Sequence, residues 1–160
     1  MHRGSHELAV TTVEAPQQLI GVQVGSGPPR FELFVYVDGV GALAAMEVTG
    51  SAVLLHTGWD RHFGTPAYRD PSPYLTADGA RWLADHGARL VGIDSINIDD
   101  AVEGGERPAH STLLAVGIPV VEHLSGLEQL PPTGARFTAV PPPIAGFTTF
   151  PVRAFAVVPQ

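Results

Sequence analysis

Short apolar runs alternate along this chain with polar stretches rich in glycine and proline, and most of the runs have the length of strands. Glu32 to Asp38 (ELFVYVD) sets Leu33, Val35 and Val37 against Phe34 and Tyr36, the pattern of a strand buried on both faces, and it stops at the turn pair Asp38-Gly39. Ala52 to His56 (AVLLH) and Arg89 to Asp94 (RLVGID) predict two further buried strands with polar residues at their carboxyl ends. Between them, Ala77 to His86 predicts a helix. Thr76 is its N-cap, Asp78 complements the positive terminus, Gly87 supplies the stop, and Ala80, Leu83 and Ala84 share one apolar face. A second helix is predicted over Ala109 to Val116, followed by a strand over Ile118 to Glu122.

Arg136 to Val140 and Val152 to Val158 predict two more strands, and Pro141-Pro142-Pro143 between them points to sheet or barrel edges. Thr65 to Pro73 carries three prolines and predicts an irregular loop of the kind that covers a cleft; Ser95 to Arg107 is a polar, glycine-containing loop. With no internal repeat and no long linker, residues 1–160 are expected to form a single mixed α/β domain.

Composition narrows the chemistry. At 160 residues, 44% apolar and 16% charged, the chain is an ordinary globular one, and 18 Gly with 15 Pro imply many turns. Net charge is -7, and the cations are all arginine, scattered singly from Arg3 to Arg153, which argues against nucleic acid or an anionic membrane as partner. The absence of cysteine removes disulfides, thiolate nucleophiles and cysteine-based zinc sites, so any metal must use His, Asp or Glu. No apolar run approaches a membrane span, and the first residues lack the order of a signal peptide, so a cytoplasmic protein is expected. MHRGSH at the start also has the look of a tag remnant, which bears on His2 and His6.

His110 and Glu122 lie twelve residues apart in PAHSTLLAVGIPVVE. A helix rising about 1.5 Å per residue and a strand returning about 3.3 Å per residue nearly cancel, which brings the two side chains to one sheet edge. Imidazole and carboxylate are ligand types for zinc or manganese, so the spacing raises a metal site. It also fits a helix-start histidine beside a solvated glutamate, and two residues alone do not make a metal site.

The other histidines divide. His62, on a loop in Trp59-Asp60-Arg61-His62, has the choice of a ligand, general base or substrate contact, or of a surface residue paired with Asp60. His56 is expected to satisfy a core hydrogen bond, His86 to serve the helix dipole, and His123 to point away from Glu122 if the strand continues. Asp94, Asp99 and Asp100 are expected in structural roles. No nucleophile elbow, phosphate loop or dinucleotide fingerprint is present.

Three runs carry a family likeness: VLLHTGWDRHFGTPAY at Val53 to Tyr68, LTADGARWLADHGARLVGIDSINID at Leu75 to Asp99, and PAHSTLLAVGIPVVEHLSGLEQLP at Pro108 to Pro131. Together with FPVRAFAVV at Phe150 to Val158 they resemble the cyclase family of metal-dependent hydrolases, which includes bacterial kynurenine formamidase and isatin hydrolase. The likeness covers roughly residues 50 to 158, with 1–49 divergent. It implies a swivelling β/β/α fold, a dimer or larger homo-oligomer, and zinc or manganese as cofactor. The implied reaction is hydrolysis of an amide or lactam-like carbonyl, with N-formylkynurenine of tryptophan catabolism as representative substrate.

By motif, His110 and Glu122 take the later half of the family's metal site. The earlier half is a His-x-Gly-Thr-His-x-Asp-x-Pro-x-x-His motif, which the stretch His2-Arg3-Gly4-Ser5-His6-Glu7-Leu8 resembles in part, making His6 and His2 the remaining ligand candidates. Leu8 stands in the place of the aspartate and Thr12 in that of the catalytic histidine. Three explanations stay open: a truncated or divergent member, replacement of the aspartate by Glu7 or Glu14, or an accidental match at MHRGSH. The alternative function is a non-catalytic binding or assembly protein on the same fold, and ring closure or dehydration in biosynthesis is a third reading.

Overall fold

Two successive β-strand, helix, β-strand passages build the centre of the molecule. A computed structural model describes residues 6–8, 43, 46–69, 72–101, 104–146 and 149–158. The strands are β1 (His6–Leu8), β2 (Ala52–Leu55), β3 (Leu90–Ile93), β4 (Val120–Val121), β5 (Arg136–Val140) and β6 (Arg153–Val158). The helices are α1 (Ala77–Asp85), between β2 and β3, and α2 (Pro108–Ala115), between β3 and β4. Strands β2, β3 and β4 form a parallel sheet in that order, and β1, β6 and β5 form an antiparallel sheet. The strand expected at Glu32 to Asp38 lies outside the described residues, as do His2 and Thr12.

Alternation along β2 shows how the layers stack. Ala52 and Leu54 enter one core with Phe137, Ala154 and Ala156 of the antiparallel sheet, while Val53 and Leu55 enter a second core with Ala80, Leu83, Ala109 and Leu113 of the helices. The parallel sheet is therefore buried on both faces, as its apolar runs require, and the order of layers is sheet, sheet, helices. This is the β/β/α arrangement expected above.

Local signals set the element ends. The Thr76 hydroxyl accepts the Gly79 N–H at the start of α1, and Gly87 adopts φ 76° just beyond its end. Helix α2 begins one residue earlier than expected, with Pro108 in its first turn, and ends at Ala115. Strand β4 is shorter than the predicted Ile118 to Glu122, because His123 takes φ 58° and turns the chain out of extended geometry. The predicted loop at Thr65 to Pro73 contains a 3-10 turn, Pro66–Tyr68, and another precedes it at Trp59–His62. Among the described residues no helix is long and apolar enough to cross a membrane.

Candidate functional site

Apart from Ser51 before β2, the buried polar residues among those described gather toward the carboxyl ends of the parallel strands: Asp94, Ser95, Asn97, Asp99, His110, Glu122 and His123. His110 sits in the first turn of α2 and Glu122 directly after β4, and the folded chain brings His110 Nε2 to 3.6 Å from Glu122 Oε1. The near-cancelling paths inferred from spacing do converge. Both residues are buried, so the solvated pair is excluded.

The segment Ser95 to Asp99 holds both side chains. The Ile98 N–H donates to Glu122 Oε1 at 2.6 Å, and the Asp99 carboxylate accepts the Ala109 and His110 N–H groups at 2.6 and 3.1 Å. Asp99 is thus the N-terminal cap of α2, supplied from ten residues upstream, since Arg107 at the cap position makes no side-chain bond. Asp99 Oδ2 also lies 2.6 Å from His110 Nδ1. An ionised carboxylate only accepts, so Nδ1 carries a proton, and in the neutral imidazole the Nε2 lone pair faces Glu122. Asp99 was expected to be structural; it is structural and orients His110 at the same time. The sequence hid this because both of its partners are distant and no spacing rule links them.

Glu122 is left incomplete. Its Oε2 is buried with no hydrogen-bond partner among the described residues, and burial pushes its carboxyl above the usual glutamate range against the opposing pull of His110, the Ile98 N–H and Arg107. A lone pair on Nε2, an unpartnered Oε2 and a donor separation of 3.6 Å suit a shared cation: two ligands at 2.0 to 2.2 Å on a tetrahedral ion stand about 3.4 Å apart. The pair fits a metal half-site. Among the described residues no group of three His, Asp or Glu is placed to hold an ion, so further donors would have to come from elsewhere. His6 lies in β1, its backbone opposite Val158, and its side chain is outside the described residues.

Other candidates sort by their contacts. His62 Nε2 accepts from Arg61 Nε at 3.2 Å and its ring lies 4.5 Å from that of Trp59, while Asp60 accepts the Gly126 N–H, so the expected His62–Asp60 pairing is not what the structure shows. Among the described residues, the hydrogen bonds and ring contacts of His62 go to Arg61, Thr65 and Trp59, not to His110 or Glu122. Among the described residues, the His56 side chain shows no partner for the core hydrogen bond expected of it. Its Nε2 stands 3.9 Å from Asp94, whose oxygens are taken by Thr57 N–H, Gly58 N–H and the Thr57 hydroxyl. His86 caps the end of α1, with Nδ1 2.8 Å from the Trp82 carbonyl and its ring stacked on Trp82. His123 Nδ1 meets the Tyr68 hydroxyl at 2.9 Å, a pairing across 55 residues that no pattern in the sequence announces.

Comparison with known proteins agrees with this fold. The Putative cyclase family model matches residues 10–100. The chain is 30% identical over 118 residues to a kynurenine formamidase of Geobacillus thermodenitrificans (strain NG80-2), covering 72% of this chain and 54% of that protein. The chain therefore spans about half the length of that relative. A solved isatin hydrolase with bound thioisatinate superposes with a TM-score of 0.72 at 24% identity, over 83% of this chain and 62% of that one, which speaks for the fold. A structure from Bacillus stearothermophilus described as a "predicted metal-dependent hydrolase" gives 0.66 at 28% identity, over 81% and 63%. On the match across residues 10–100, and with the β/β/α layers around His110 and Glu122, the chain belongs to the Putative cyclase family.

Proposed function

We propose that the chain works as a metal-dependent hydrolase acting on an amide or lactam-like carbonyl, with N-formylkynurenine as the representative substrate and a second copy of the chain as partner. The single observation that carries the reading is the buried pair itself: His110 Nε2 and Glu122 Oε1 face each other 3.6 Å apart with Glu122 Oε2 unpartnered. The names of the relatives, a kynurenine formamidase and a metal-dependent hydrolase, support the reaction class.

His110 and Glu122 would hold zinc or manganese, with His6 and His2 as further donors and His62 as the base. Such an ion supplies a water of lowered pKa and polarises the carbonyl. The chain's own residues do the rest. Asp99 keeps the proton on Nδ1 and so the lone pair on Nε2, the Ile98 N–H fixes Oε1, and burial of both ligands excludes competing water.

Melting curves with and without added zinc or manganese test this. At about a hundred times the dissociation constant, binding adds about 2.7 kcal/mol, a rise of roughly 5 to 10 °C for a chain this size. His110→Ala and Glu122→Gln should each abolish the rise and the hydrolysis of N-formylkynurenine. No rise in the unsubstituted protein, or the same rise in both variants, would leave a cyclase-fold binding protein with a buried His–Glu ion pair.

A further inference from the structure

Between β2 and residue 69 the chain makes two 3-10 turns and buries one side chain, Tyr68; every other residue of 56–69 is half-buried or exposed. Phe63, the large apolar residue of this stretch, is 40% exposed and touches the body of the protein through its edge contact with the Tyr68 ring. The segment is therefore held by polar tethers rather than by a core. Thr57 and Gly58 are pinned to Asp94 at its root, Asp60 accepts the Gly126 N–H, and at its far end the Tyr68 hydroxyl meets His123 Nδ1. Trp59 Nε1 donates to the Tyr68 carbonyl, which ties the root to the far end. All the anchors lie at or beyond the carboxyl ends of the parallel strands, where Glu122 is.

His123 bears two costs for this contact. It is a non-glycine residue at φ 58°, and its Nε2 is buried without a partner among the described residues. Strained backbone and unmade bonds persist where the surroundings over-determine them, and they concentrate at functional positions. The Tyr68 hydroxyl has a proton to give, and His123 Nδ1 stands 2.9 Å from it. Donation from Tyr68 to Nδ1 leaves a single unpaired N–H at Nε2, fewer orphans than the reverse arrangement.

We propose that Tyr68 and His123 form a latch that closes residues 56–69 over the strand ends bearing Glu122, with His123 as the positioning residue for Tyr68. Its use in admitting substrate rests on the hydrolase reading; the latch does not.

Trypsin reads the latch directly, because the chain has no lysine and Arg61 lies inside the segment. In metal-free protein, Tyr68→Phe and His123→Asn should each speed cleavage after Arg61 about tenfold, the effect of one lost hydrogen bond on local opening. Asparagine is chosen because it tolerates the left-handed backbone. Cleavage after Arg89 and Arg136 should stay unchanged, and the double variant should again show about tenfold, since the two changes remove one shared contact. Unchanged cleavage after Arg61, an equal rise at all three arginines, or multiplying effects in the double variant would overturn the proposal. In the unsubstituted protein, nitrogen NMR should place the His123 proton on Nε2; a proton on Nδ1 would also overturn it. With metal and N-formylkynurenine, both variants should raise KM more than they lower kcat. If no variant turns the substrate over, the hydrolase reading fails while the cleavage pattern still decides the latch.

Discussion

Asp99 shows how much one side chain can carry at this site. It is fully buried, its two oxygens take two backbone N–H groups of α2, and the same carboxylate holds the Nδ1 proton of His110. Removing its charge while keeping its shape weakens all of these bonds together. Asp99→Asn is expected to lose about 2 to 4 kcal/mol of stability, since bonds to a charged group are worth more than neutral ones. It should also weaken zinc binding roughly 10- to 100-fold, the usual effect of losing the partner that orients a metal-binding histidine. Calorimetric titration with zinc checks the second number, and an unaltered affinity would mean that His110 is oriented by packing alone. The spacing of His110 and Glu122 was legible in the sequence because helix rise and strand rise are fixed lengths. The role of Asp99 was not, because a side chain reaching across a loop obeys no period.

At the scale of elements, Asp94 joins the end of β3 to the turn after β2. Its fully buried carboxylate accepts Thr57 N–H at 2.8 Å, Gly58 N–H at 2.8 Å and the Thr57 hydroxyl at 2.5 Å. Burial nevertheless outweighs these bonds and pushes the carboxyl above its ordinary range. For an acid raised in the folded state, the protonated form is the one that folding favours. Its contribution to stability is therefore full below the unfolded value near about 4 and is lost as pH rises through the folded value. Melting temperatures between about pH 4 and 7 should consequently fall more in the unsubstituted protein than in Asp94→Asn, where this titration is gone. Parallel curves for the two proteins would refute the assignment. The elements themselves were largely readable: α1 has its cap and its glycine stop in sequence, whereas α2 is short and takes its cap from Asp99.

At the scale of the whole molecule, the parallel sheet separates two cores, and Gly92 in β3 leaves room for the one between the sheets to pack tightly against it. A Cβ at this position would stand 2.7 Å from Leu54 Cδ2 and 2.7 Å from Leu124 Cδ1, both of them buried in the core between the sheets. Overpacking of this kind costs about 1 to 3 kcal/mol. Gly92→Ala should therefore lower the melting temperature by roughly 2 to 10 °C while leaving zinc affinity intact, because both leucines belong to the core between the two sheets. Fluorescence and circular dichroism should report one coincident transition, as both cores share the same sheet. An unchanged melting point would show that the leucines can move aside and that the two sheets pack more loosely than their contacts indicate.

The sequence by itself determined the helices and most of the described strands, the mixed α/β class, the likeness to the cyclase family and the convergence of His110 with Glu122. Each of these depends on local periodicity, turn residues or fixed element lengths, which neighbouring residues encode. Only the tertiary structure decided which sheet each strand joined, that Asp99 orients His110, and that β4 stops at Val121. It also decided that Tyr68 meets His123. These are contacts between residues remote in the chain, where burial and the satisfaction of polar groups select the partner and spacing carries no signal. By the resemblance to the family motif, Leu8 and Thr12 would stand in the places of its aspartate and last histidine, a departure visible in the sequence. What the fold added is the state of the half that is kept: a buried histidine and glutamate, each held by a bond from the same short segment, with one oxygen still unpartnered.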